Sequence, residues 1–207
     1  MTDANDTWIH EQLGEFALGA LGWVAEVDLP SFARFDTPIP KGKYQLVLER
    51  QFGEDARPTA DIASAAATIV ETEANLSEAI LQAVWDDLNG TGPDSRSRWY
   101  GKLAAEEIQK LAVAPPTKPD DLVTHLKFLY CAVTSPETGY EWWEALTSPI
   151  AMFNFNASWD DEHGIGVLVH RGEIVGIGEI AQVEPFRRPA EPPRQYKNPF
   201  TGEVVSD

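Results

Sequence analysis

One cysteine stands in a chain of 207 residues. That excludes an intramolecular disulfide, and the setting of Cys131 in the apolar run LKFLYCAV marks it as a small buried hydrophobe rather than a nucleophile, in keeping with a reducing compartment. Long apolar runs are missing as well. Nowhere do about eighteen apolar residues follow one another, and the polar, acidic start MTDANDTWIHEQ lacks the charged-then-apolar order of a signal peptide. The expected compartment is the cytoplasm. Positive charge is scarce: 16 Lys and Arg stand against 33 Asp and Glu, a formal net charge of −17. Such a chain repels phosphate backbones and anionic headgroups, so neither nucleic acid nor a membrane is an expected partner.

Motifs for phosphate and nucleophile chemistry are also lacking. KGKY has neither the spaced glycine nor the Ser or Thr of a phosphate loop, and no Gly-x-Ser-x-Gly elbow occurs. GIGEIA, residues 176–181, has the spacing of a dinucleotide fingerprint and follows a strand-like run. That chemistry needs a helix to hold the pyrophosphate, and Pro185 arrives too soon for one. No cofactor is expected.

What the chain does contain is apolar bulk. At 43% apolar, with seven Trp and nine Phe, it can offset the entropy of ordering itself, and its length suits one domain. The expected division is an N-terminal arm (1–12), one domain (13–184) and a proline-rich tail (185–207), the tail read as extended and without regular structure.

From Phe16 to Arg50 the residues read as strands broken by turns, with Tyr44, Leu46 and Leu48 alternating in YQLVLER. Residues 59–89 change to helical spacing: Ile62, Ala66, Ile69, Leu76, Ile80, Val84 and Leu88 share a face, Thr59 is the N-cap and Gly90 the stop. Asn75 and Ser77 are where this helix is expected to kink or divide, since both compete for backbone hydrogen bonds. A second helix is expected over WYGKLAAEEIQKLAV and a strand over KFLYCAVT. In IAMFNFNASW, Phe153, Phe155, Ala157 and Trp159 alternate with Asn154, Asn156 and Ser158, which predicts one core face and one wet face. GIGVLVH and EIVGIG then flank the two-residue turn Arg171-Gly172. The expected fold class is α+β, an antiparallel sheet formed by N- and C-terminal strands with the central helices packed on it.

Asp160, Asp161, Glu162 and His163 invite a metal or acid-base reading, because carboxylates and an imidazole are suitable ligands and proton partners. Four consecutive residues of a hairpin loop point in different directions, however, and the spacing is not that of a calcium loop. The expectation is a solvated turn with Trp159 anchored in the core and Gly164 supplying a left-handed backbone or a bulge, so that neither a catalytic nor a metal-ligating residue is assigned. Tyr140, Trp142 and Trp143 in GYEWWEAL form the other candidate. Adjacent tryptophans diverge by about 100° in a helix and face opposite ways in a strand, which leaves two readings: one of them is exposed and anchors an interface rimmed by Glu141 and Glu144, or both are taken up in the core contacts of a short amphipathic turn.

The order of elements, with VWDDL, RWYGKL, PDDLVTHLKFLYCAV and above all FNASWDDEHGIGVLVHRGEIVGIGE, resembles a bacterial domain family of unknown function. That family carries a Trp-Asp-x-Glu-His-Gly turn between two strands, matched here by Trp159, Asp160, Glu162, His163 and Gly164. The resemblance spans roughly residues 13–184 and carries no catalytic activity with it. It looks like the small acidic proteins that accompany bacterial toxins as immunity factors, which implies a binding module for a basic toxin, contacted through Tyr140, Trp142, Trp143 and the charges of Asp160, Asp161 and Glu162, beside His163. Two alternatives stand beside it: a metal-assisted hydrolase using Asp160, Glu162 and His163 with a distant fourth group, and a structural or regulatory subunit of a larger assembly.

Overall fold

In a computed structural model, which describes residues 7–35, 42–49, 57–89, 91–93, 110, 116–135, 148–186, 195–197 and 204–206, the alternating stretches form strands. β1 (Thr7–His10), β2 (Gly14–Leu18), β3 (Gly22–Asp28) and β4 (Lys43–Glu49) come from the N-terminal part of the chain. β5 (Leu126–Thr134), β6 (Ile150–Ala157), β7 (Asp160–His170) and β8 (Glu173–Gly178) come from the C-terminal part. All eight join one sheet in chain order, antiparallel at every step except β4 beside β5, which run parallel. A parallel neighbour requires a long crossover, and α1 (Ala60–Glu71) and α2 (Glu73–Leu88) lie on that connection. The fold is mixed and sheet-rich, its sheet mostly antiparallel and drawn from both ends of the chain. The N-terminal arm contributes its edge strand, β1.

The helical spacing over 59–89 gives two helices. Thr59 caps the first through its hydroxyl, which accepts from the Ile62 amide at 3.3 Å. The division falls at Thr72 and not at Asn75 or Ser77. Thr72 donates both its amide, at 2.9 Å, and its hydroxyl, at 2.7 Å, to the Thr68 carbonyl, a back-bond that bends helices. Ser77 turns its hydroxyl outward instead, to the Ser31 carbonyl at 3.3 Å in the 3₁₀ turn Pro30–Arg34. Glu73 receives the Ser31 amide and hydroxyl at 2.9 and 2.8 Å, and Arg34 bridges Glu78 and Asp120. These contacts fasten α2 to the turn that follows β3.

One face of the sheet carries the main core. Tyr44, Leu46 and Leu48 of β4, Phe128 and Cys131 of β5, and Phe153 and Phe155 of β6 are fully buried and share one cluster with Ile62, Ala66, Ile69, Leu76, Ile80 and Val84 of the helices. Phe32 lies at its centre, 4.7 Å from the Phe128 ring and stacked at 5.3 Å on Phe153. Aromatic pairs at these distances add about 1 kcal/mol each beyond their burial. Cys131 sits wholly inside this cluster, and burial pushes its thiol far above the usual range, as an inert cysteine requires.

The other face departs from the alternation. Asn156 and Ser158 are exposed as predicted, but Asn154 is fully buried, and its Oδ1 has no hydrogen-bond partner among the described residues. The cause is the segment after β8. Residues 179–186 fold back across β7 and β8, and Val183 joins Ile150 and Leu168 in a second, smaller core. Asn154 pairs with Gly166, and it is against Gly166 that Val183 packs. A Cβ at Gly166 would meet Val183 at 3.0 Å, and one at Gly176 would overlap the Glu184 carbonyl. Gly164, Gly166 and Gly176 therefore make room for a crossing chain.

Arg171 and Gly172 form the β7–β8 turn with φ of 53° and 81°, as expected of a tight hairpin. In the proline-rich tail, β9 (Gln195–Lys197) and β10 (Val204–Ser206) pair antiparallel, so its composition does not preclude regular structure. The helix expected over 99–113 lies outside the described residues, Lys110 apart.

Candidate functional site

The WDDEHG stretch ends a tight turn and forms a bulge in a strand. Ala157 pairs with Asp160, so the tight turn is Ser158-Trp159, and Asp160 already belongs to β7. The next pair is Phe155 with Ile165, which leaves residues 161–164 opposite Asn156 alone. Extra residues on one strand of an antiparallel pair are extruded, and here they are extruded together. Gly164 closes the bulge at φ +65°, where a Cβ would stand 2.5 Å from the Phe155 carbonyl oxygen and 2.8 Å from Ile180 Cδ1. Only glycine fits both the angle and the space.

Trp159 is buried, with its ring 6.2 Å from that of His125. The turn is clipped to the start of β5 twice over: the Ser158 amide donates to the His125 carbonyl at 2.9 Å, and the Ser158 hydroxyl lies 2.8 Å from His125 Nδ1. Both contacts go to one buried residue, which is the pattern of a fastener.

Asp160 organises the bulge through a single oxygen. Its Oδ1 accepts from the His163 amide at 3.0 Å and lies 3.0 Å from His163 Nδ1, closing a turn of the kind short acidic side chains make with backbone amides nearby. The Asp160 side chain is 22% exposed and that of His163 51%. Hydrogen bonding to Asp160, its charge, and then the charges of Glu179 and Glu162 hold the His163 pKa above the ordinary imidazole value. Glu162 is exposed.

The convergence that sequence reading missed is Glu179. Asp160, His163 and Glu179 each offer a ligand atom, and these atoms lie within 4.8 Å of one another. Glu162, which the sequence pattern placed in such a set, is not a member. Glu179 was legible only in part: the turn at Arg171-Gly172 by itself sets Gly166 opposite Ile177, and a one-residue register shift between Leu168 and Val169 makes the partner Gly178, so that residue 179 falls beside the bulge. GIGEIA is thus the end of a strand followed by a turn, not the start of a helix.

Of the remaining candidates, Tyr140, Trp142 and Trp143 lie outside the described residues, and of Asp161 only the backbone is described. Among the described residues no helix is long and apolar enough to cross a membrane. No curated protein and no solved structure matches the chain. One family model does, over residues 13–183, from the first buried leucine before β2 to the valine that covers its last two strands, and by that match the chain belongs to the family described as a domain of unknown function, DUF6985.

Proposed function

We propose that this chain is a cytoplasmic protein-binding module of the immunity type, which neutralises a basic toxin by covering its active site with an acidic, partly aromatic surface. The observation that carries this reading is the way the WDDEHG stretch is spent. Trp159 is buried, Asp160 is engaged in holding the backbone and ring of His163, and Gly164 sets the bulge. Among the described side chains of the stretch, the ones that reach solvent most are Glu162 and His163, the imidazole being held in place by Asp160. Groups whose geometry is fixed in advance lose little entropy on contact, and a net charge of −17 favours encounter with a basic partner. In this reading the central helices, sharing one core with the strands, are the rigid frame packed on the sheet, and Tyr140, Trp142 and Trp143 supply aromatic anchors.

The test is capture from the native host with wild-type protein, with Glu162→Lys and with a Trp142→Ala, Trp143→Ala double variant, followed by assay of the captured protein's activity. A basic toxin that the wild type binds and inhibits, and that the variants bind at least tenfold more weakly, supports the reading. A folded wild type that captures nothing, or leaves a captured protein fully active, refutes it.

The convergence of Asp160, His163 and Glu179 favours a second reading, a metal-assisted hydrolase in which a divalent cation generates hydroxide. It ranks below the first because the Nδ1 proton and the Asp160 oxygen already satisfy one another, so a cation using both must displace that bond. Stoichiometric zinc or manganese in the purified protein, with a rise in Tm on metal addition that Glu179→Gln removes, would establish it. Absence of both effects would sink it.

A further inference from the structure

The two sides of the sheet end differently. At β8 the chain closes its own border: the Phe186 amide donates to the Val175 carbonyl, and residues 180–186 lie over the adjoining face. At the other side the order of strands stops at β1, whose strand partner among the described residues is β2. Free edges invite a further strand, and proteins blunt them with lysine, proline or a covering segment. Thr7-Trp8-Ile9-His10 contains neither lysine nor proline. Ile9, 74% exposed, and Leu21 in the neighbouring β2–β3 turn, 63% exposed, are the large apolar side chains left in solvent among the described residues.

This corner is also acidic, with relief at one point: Lys43 of β4 is exposed and paired across from Asp28, whereas Glu11, Glu15 and Glu26 lie nearer the edge. The first Lys or Arg after the start of β1 is Arg34, while Glu11, Glu15, Glu26 and Asp28 are exposed, and the register sets Glu15 directly across from Ile9. The strand itself is held firm, since Trp8 packs 5.0 Å from the Phe16 ring and 6.3 Å from Trp23. A second copy of the chain would set this acidic corner against itself.

We propose that β1 accepts an extended, basic segment of a protein partner as a ninth strand. The segment's main chain pairs with Thr7–His10, an apolar side chain covers Ile9, and lysine or arginine side chains meet Glu11 and Glu15. Main-chain pairing at a sheet edge supplies affinity, and alternate side chains supply the choice of partner. The inference rests on the binding reading above and gives the partner a place and a chemistry.

The probe is an end-capped heptapeptide alternating lysine and valine, with a glutamate and valine counterpart, titrated into the full chain while amide hydrogen exchange is followed residue by residue. The lysine peptide should slow exchange at residues 7–10, and Ile9→Lys and Glu15→Lys, both at exposed positions, should each weaken it at least tenfold. The glutamate peptide should do neither. Protection elsewhere, equal binding of the two peptides, no binding, or self-association lost in Ile9→Lys would overturn the proposal. The captured partner separates the two inferences: if it binds wild type and Ile9→Lys equally, the edge proposal falls while the binding reading stands. If nothing is captured but the lysine peptide protects β1, the edge proposal stands and the immunity reading falls.

Discussion

At Gly164 an added methyl group meets two obstacles, a φ of +65° and the Phe155 carbonyl oxygen at 2.5 Å, whereas at Gly172, with φ +81°, nothing lies within 4 Å. Gly164→Ala should therefore lose about 3 kcal/mol or more of stability and Gly172→Ala about 1 kcal/mol, measured by urea unfolding. Equal losses would show that backbone angle alone decides. A second expectation concerns His163, whose pKa in the folded protein is raised by Asp160. A raised histidine pKa means that the folded state holds the proton more tightly than the unfolded one. The stabilisation is thus fully present below the unfolded value of about 6.5 and is lost as pH rises through the folded value. The difference in Tm between wild type and His163→Gln should shrink across that window. A difference that does not change with pH would mean that the ring's charge plays no part in holding the bulge.

At the scale of elements, the glycines of β7 and β8 act as a set. Gly176→Ala places a methyl group against the Glu184 carbonyl and should dislodge residues 183–186 from the sheet, uncovering Val183, Leu168 and Ile150. Faster hydrogen exchange in residues 175–186, with the β3–β4 pair unchanged, would show it. Uniform destabilisation would instead mean that the crossing segment and the sheet unfold as one unit. Much of the element order was readable. Period two located β4 and β6, helical spacing located the buried positions of α1 and α2, and the Arg171-Gly172 turn gave the β7–β8 hairpin. The break at Thr72 was not readable, because Ser77 looks like a competitor for helix bonds until Ser31 is brought beside it. Nor was the burial of Asn154, since alternation describes one strand and cannot announce a segment returning about thirty residues later in the chain to cover it.

At the scale of the whole molecule the prediction is electrostatic. If an acidic surface speeds encounter with a basic partner, the association rate should fall at least tenfold between about 20 and 500 mM salt while the dissociation rate changes little. A rate insensitive to salt would confine the interaction to apolar contacts. What the sequence determined by itself was of this global kind: a charge of −17, a single cysteine lodged in an apolar run, and apolar spacing sufficient for a mixed sheet and helix core. These properties depend on composition and on neighbours along the chain. Tertiary structure alone decided that β4 and β5 run parallel, that residues 179–186 roof the second face, and that the β7–β8 register shifts by one residue on the way to Glu179. Each of those rests on contacts between residues distant in sequence, settled by strand pairing and by the room that glycine leaves.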